Sequence, residues 1–245
     1  MNSYRNNLLE KLKEAPLTKD LPKDVLAEII LPHLKPISWA EHSLVMDVSE
    51  TKKRFFLIAS GRVSVEAQHP QNGRSVSLFL LGPGEGHNLV TLLDGQPHEV
   101  LAESLDEVEA VHAPLTLWRQ WLNDYPPMRQ AAMRCAARRL RELAEFNEDL
   151  ALHDTTTRLA HLLLLHLENE PTVDGAPPRL QGLSHGDIAR LIGSTRVVIT
   201  RLIGRFRREG ILHAGNGVLR IADLERLLQK AERRFHIHTP TNRPK

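Results

Sequence analysis

The spacing of apolar residues alternates along the chain between helical and strand-like periods. Over residues 1–34 it is helical: Leu8, Leu9 and Leu12 make one face, and Val25, Leu26, Ile29, Ile30 and Leu34 another. Leu21-Pro22-Lys23-Asp24 reads as the start of the second stretch, since proline fits a first helical turn. From about 35 to 113 the period drops to two. Short segments rich in β-branched and aromatic residues (54–59, 62–66, 76–81, 100–102 and 108–112) are separated by turn clusters. The clusters are Ser60-Gly61, His69 to Gly73 with its Asn-Gly hairpin signal, Gly82 to Gly86, and Asp94 to Pro97. Residues 89–93 suit one or two helical turns. Small antiparallel strands at even spacing predict a barrel or jelly roll.

After 113 the helical period returns. Leu115, Leu117, Trp118 and Leu122 predict a short helix that ends before Tyr125-Pro126-Pro127. A long helix follows over 128–152. Its apolar seam is Met133, Ala136 or Ala137, Leu140, Leu143 or Ala144, and Leu150 or Ala151, with Asn147 in line. Arg138, Arg139, Arg141, Glu142 and Glu145 flank it. Three near-heptads with one polar residue predict a helix paired with its twin, against the plainer alternative of a helix packed on its own domain. Residues 153–157 are polar and β-branched, a hinge that also caps the next helix. Residues 157–168 are apolar on most sides and predict burial, 170–178 a Pro/Gly loop, and 179–182 a short strand.

Residues 183–210 carry the strongest local signals. Ser184 caps a helix, Asp187 takes the reciprocal place in a capping box, and Leu183 and Ile188 close a hydrophobic staple. Gly193 turns the chain. Ser194 or Thr195 caps a second helix over 196–209, and Gly210 ends it. Val198, Ile199, Leu202, Ile203 and Phe206 form its apolar face. Arg196, Arg201, Arg205, Arg207 and Arg208 lie off that face. Helix, glycine turn, basic helix is the pattern of helix-turn-helix DNA readers. Ile211 to Ile221 reads as a hairpin about His213 to Gly217, and Asp223 caps a last helix over 224–235. A loose tail follows over 236–245. Helix-turn-helix plus hairpin is a winged arrangement.

Composition narrows this. At 245 residues the chain suits two domains, and 41% apolar with 25% charged residues is ordinary for a globular protein. The net charge of +2 does not argue for nucleic acid, but the clustered arginines do. The single cysteine, Cys135, reads as a small buried residue and cannot build an iron–sulfur or four-thiolate site. The polar N-terminus and the short apolar runs predict a cytoplasmic protein with no membrane partner. No nucleophile elbow, Walker loop, HExxH or paired carboxylates support an enzyme. The thirteen histidines show no metal-ligand spacing, so no metal is expected.

In this order the elements resemble the CRP/FNR family of bacterial transcription regulators. The stretch Gly193-Ser194-Thr195-Arg196-Val197-Val198-Ile199-Thr200-Arg201 is similar to the family's recognition helix. Asp154, Thr156 and Arg158 are similar to its hinge, and Leu57 to Val63 to its strand-and-glycine signature. The resemblance implies an α+β chain. Its parts would be N-terminal helices with a β-roll sensor (1–127), a dimerisation helix (128–153) and a winged helix-turn-helix (154–235). It implies a homodimer that binds a palindromic DNA site and engages RNA polymerase, with an effector acting through the hinge. The dimer contacts would come from Met133, Leu140, Leu143, Asn147 and Leu150. Arg196 would read a guanine edge. Arg201 would read a base or hold a phosphate, with Ser184, Thr195 and Thr200 positioning the backbone and Arg205 as a further DNA-binding residue. Many members carry glutamate after the first arginine, where it accepts from cytosine. Val197 stands there and can only pack against a thymine methyl, which predicts an altered half-site.

The sensor departs further. Where cyclic-AMP-binding members hold the phosphate with an Arg-Ser pair, this chain has His98-Glu99, and Glu99 would repel it. Leu143 and Ala144 replace hydroxyls offered to adenine. Cyclic AMP is therefore not the expected effector. The pocket candidates are Leu81, His87, Asn88, Leu89, His98, Glu99, Arg138 and Leu143. The effector stays unidentified: a small organic acid, a nucleotide-like ligand, a haem held by a histidine such as His87, and no ligand at all remain open.

Overall fold

The computed structural model describes residues 2–46, 53–97, 100–168, 182–215 and 218–232. It divides into two compact units, Met1–Asn147 and Glu148–Lys245. The first contains eight described strands: β1 (Lys35–Trp39), β2 (Leu44–Met46), β3 (Arg54–Ser60), β4 (Val63–Gln68), β5 (Ser75–Leu81), β6 (Gly86–His87), β7 (Leu101–Ser104) and β8 (Val108–Pro114). They form two four-stranded sheets, ordered β1-β8-β3-β6 and β2-β7-β4-β5, and every pairing is antiparallel. This is the α+β architecture with a β-roll.

The near-continuous apolar run of β3 has a physical cause: both its faces are covered. Ile58 joins Val63, Val65, Leu81, Val108 and Ala110 inside the roll. Phe55 and Leu57 point the other way, into a helical layer. That layer comprises α1 (Asn2–Glu14), a wide π-type turn α2 (Val25–Ile30), α4 (Leu115–Asp124) and the start of α5 (Pro126–Leu152). Trp118 is its centre, fully buried, with its ring 4.8 Å from Phe55 and 5.0 Å from Trp121. Gly86 is required by close approach, because a Cβ there would meet the Phe55 ring at 2.1 Å.

Some expectations need correction. Residues 25–33 wind as a π-type turn followed by a 3-10 turn at Leu31–His33, not as one α-helix; Pro32 lacks the N–H that a regular ladder needs. Strands β1, β2 and β6 carry no clear period-two signal. β1 is an edge strand that admits Pro36, and β6 has only two residues, inside the glycine cluster. The 89–93 segment is a helix, α3 (Leu89–Asp94).

In the second unit, α6 (Thr155–Glu168) is followed by α7 (His185–Leu191), α8 (Arg196–Arg208), the hairpin β9 (Leu212–Gly215) and β10 (Val218–Ile221), and α9 (Leu224–Lys230). α6 begins two residues before the expected 157, because Asp154 accepts the Thr157 amide at 2.8 Å as its cap. The break in the hinge is thereby confined to 153–154. Leu159, Ala160, Leu163 and Leu164 are buried, but Leu165 is exposed, so α6 is two-sided rather than wholly enclosed. α9 stops at Lys230, with Asp223 as its cap. The expected loop at 170–178, most of the strand at 179–182, the hairpin residues 216–217 and the tail at 236–245 lie outside the described residues.

Candidate nucleic-acid interface and cavity

The helix pair α7–α8 is built by local polar signals. Ser184 accepts the Asp187 amide, and Asp187 in return accepts the Ser184 amide at 2.8 Å. Leu183 and Ile188 are both buried behind this box. Asp187 is itself buried and also holds Arg190 at 2.6 Å. Gly193 turns the chain at φ 64°. Thr195 then caps α8 by accepting the Val198 amide.

This start fixes the rotation of α8. Ile199, Leu202, Ile203 and Phe206 are buried. Arg196, Val197, Thr200 and Arg201 fall on the opposite side and are exposed, Val197 by 59%. Among the described residues no acidic group pairs with Arg196, Arg201 or Arg207. The helix therefore presents unneutralised guanidinium groups, with their donors unspent, around an apolar side chain. Gly204 lies on the same face, with open space where a Cβ would stand.

Four of the expected contact residues also have internal partners, Thr195 through its cap on α8. Thr200 donates to the Arg196 carbonyl at 2.8 Å and faces His185 Nδ1 at 2.9 Å, which ties the two helices together. Ser184 is committed to its box. Arg205 donates to the Thr156 hydroxyl at 2.9 Å and sits 3.8 Å from Glu209, because its position turns it toward α6. Lys230 hydrogen-bonds Glu209 and holds its carboxyl below the usual range. Asp154 is also lowered, chiefly by the Thr157 amide.

The first unit contains a cavity of about 210 Å³. Val65, Phe79, Leu81, Leu89, Val90, Leu93 and Val100 supply most of one wall, and Ala136, Leu140 and Leu143 of α5 the other. His87 and Asn88 also line it. Arg139 is its cation, but that guanidinium is already occupied. It donates to Glu142 at 2.7 Å, lies 3.1 Å from Glu85, and covers the Phe79 ring at 5.0 Å. Arg138 does not line this cavity. One position round the helix, it is drawn to the buried Glu85 carboxylate at 2.8 Å, beside a smaller cleft that includes Cys135. His98 and Glu99 lie outside the described residues. Cys135 is partly exposed rather than buried, and the burial it does have pushes its thiol up. Nothing in the local pattern pointed to Arg139 in this role, since its flanking position alone reads as a solvated charge.

On α5 the structure separates the two alternative seams. Met133, Ala137, Leu140, Ala144, Asn147 and Ala151 are exposed and recur every three or four residues. Ala136, Leu140 and Leu143 line the cavity, so Leu140 borders both it and the exposed row, while Leu143 is only partly exposed. Leu150 is 40% exposed.

Residues 157–230 match the family model of the Crp-like helix-turn-helix domain. Over 199 residues the chain is 28% identical to a CRP-like cAMP-activated global transcriptional regulator of Mycobacterium tuberculosis, covering 81% of this chain and 88% of that one. It is 29% identical over 164 residues to a global nitrogen regulator of Nostoc, covering 65% and 73%. A crp/fnr-family regulator from Eubacterium rectale shares the fold, with a TM-score of 0.67 at 21% identity over 89% of this chain and 98% of that one. Among the described residues no helix is long and apolar enough to cross a membrane.

Proposed function

We propose that this chain is a CRP/FNR-type transcription regulator that works as a homodimer and reads a palindromic DNA site with an altered half-site. The coarser part of this, a regulator with a helix-turn-helix DNA-binding domain, follows from the relatives and the matched domain. One observation carries the finer part: Arg196 and Arg201 stand exposed, with no acidic partner among the described residues, on either side of exposed Val197 in the first turns of α8. The first turns of a recognition helix are the ones that meet base edges. The two arginines match the paired acceptors of guanine, and Val197 offers a methyl-packing surface and no acceptor. A mobility shift against genomic fragments tests the reading. The expected result is a complex that Arg196→Ala abolishes while the protein stays a dimer. A complex indifferent to Arg196→Ala would overturn it.

The exposed row on α5 supports the dimer. A solvent-facing strip of Met133, Ala137, Leu140 and Ala144 has the repeat that a paired helix buries. Light scattering should give a dimer, and Ala137→Glu with Ala144→Glu a folded monomer. Two such dimer-related helices would place recognition helices about 34–36 Å apart, on successive major grooves.

The effector reading follows from the cavity's chemistry. The M. tuberculosis relative is described as cAMP-activated. Here most of the wall is apolar and its cation, Arg139, is neutralised by Glu85 and Glu142, so a charged phosphate would meet no uncompensated positive charge among the described wall residues. The site suits a compact apolar molecule. Calorimetry with cyclic AMP should show no binding, and cyclic AMP should leave DNA affinity unchanged. The haem alternative rests on His87, which is buried on the wall. It fails if purified protein develops no haem absorption band on titration.

A further inference from the structure

We propose that Asp149, His153 and His161 form a site for one divalent transition-metal ion in the second unit. His153 directly follows the end of α5, four residues after Asp149, and its amide donates to the Asp149 carbonyl at 3.2 Å, which keeps the two one helical turn apart. His161 comes from the second turn of α6. One ligand atom from each lies within 4.8 Å of the others. The two imidazole rings meet edge to face, with centroids 5.1 Å apart.

The hydrogen bonding of His161 is the second observation. Its side chain is 7% exposed. Nε2 lies 2.8 Å from the Ala231 carbonyl, which can only accept, so Nε2 carries the proton and donates it. Nδ1 is then a lone pair in the neutral ring, yet it faces a carboxylate oxygen of Asp149 at 2.7 Å. Two acceptors at that separation need a positive species between them, either a second ring proton or a metal ion. An imidazole that donates its far N–H to a backbone carbonyl, with its near nitrogen beside a carboxylate, is the arrangement that orients histidine ligands.

The donor set chooses the ion. Two imidazoles and one carboxylate suit Zn²⁺, Co²⁺, Ni²⁺ or Cu²⁺, whereas Ca²⁺ and Mg²⁺ take oxygen cages. With bonds of about 2.0–2.1 Å, tetrahedral ligands stand about 3.3 Å apart. Rotation of the partly exposed His153 closes that gap, and the remaining position is left for water. Bound there, the ion would clasp the end of α5 to α6 across the break at 153–154, and through His161 to the end of α9.

Co²⁺ titration of the untagged full chain, read by its visible ligand-field bands and displaced by Zn²⁺, tests the site. The expected result is one ion per chain, with affinity falling by more than about tenfold in His153→Ala and in Asp149→Asn. Both residues are partly exposed, and circular dichroism without metal checks that each variant is folded. The tail contains His236 and His238, so His236→Ala with His238→Ala is the control and should bind as the parent does. No binding at stoichiometric Co²⁺ would overturn the proposal and leave a protonated His161 paired with Asp149. Binding that survives His153→Ala and Asp149→Asn, or is lost in the tail variant alone, would overturn it as well.

Discussion

The helix pair α7–α8 and the cavity of the first unit follow opposite rules. In α7–α8 the decisive chemistry is local. Each cap lies within three residues of the amide it satisfies, and the Arg196, Arg201 and Arg207 guanidinium groups are exposed, with no acidic partner among the described residues. In the cavity it is dispersed. The wall gathers residues from 65 to 143 across β4, β5, β6, α3 and α5, and the cation is turned inward onto Glu85 and Glu142. A DNA-reading surface can thus persist as one short motif. A ligand site can lose its polar anchors through scattered substitutions while the sheets around it stay intact.

Four changes break or sharpen that contrast. Val197→Glu has the largest expected effect. It should restore an acceptor for cytosine and move preference toward C·G at that position by about 1–3 kcal/mol, read by competition between duplexes. If preference does not move, residue 197 does not face a base. Ser184→Ala comes next. It should lower the stability of the second unit by about 1 kcal/mol in a thermal melt, because the Asp187 amide loses its acceptor. A loss of DNA affinity without a loss of stability would instead make Ser184 a direct contact.

How much of this was legible follows the same division. The capping box, Gly193 and the apolar face of α8 announce themselves within a few residues and fall where expected, whereas the first strand of the wing runs to Gly215, three residues into the expected turn. Strands β1 and β2 gave no such signal. Their partners β8 and β7 lie roughly 60–75 positions away, and what fixes them is pairing rather than alternation. Nor did the role of Arg139 or the setting of His161, since each depends on groups brought close only by folding. The Asp149–His153 spacing was the one available signal for the latter, but it has no meaning until α6 supplies the third residue.

Gly204→Ala should stabilise α8 by about 0.5–1 kcal/mol, since helical glycine is costly and the added Cβ meets nothing. If DNA affinity falls while stability rises, the backbone at 204 approaches the phosphates. The smallest effect belongs to Asp154→Asn. The Asp154 carboxyl is lowered in the folded state, so its contribution is present at neutral pH and is lost as pH falls through and below the ordinary aspartate range. The substitution should flatten that part of the acid stability curve, measured by melts across pH, and leave the slope above pH about 5 unchanged.

The central claim, that a dimer of this chain reads a palindrome whose half-site is altered at the Val197 position, is met most directly by selecting bound duplexes from a random pool with the intact protein. The expected product is an inverted repeat, its half-sites one helical turn apart, with G specified beside a position where C·G is no longer required. An unenriched pool, or recovery of a TGTGA-type half-site, would contradict it.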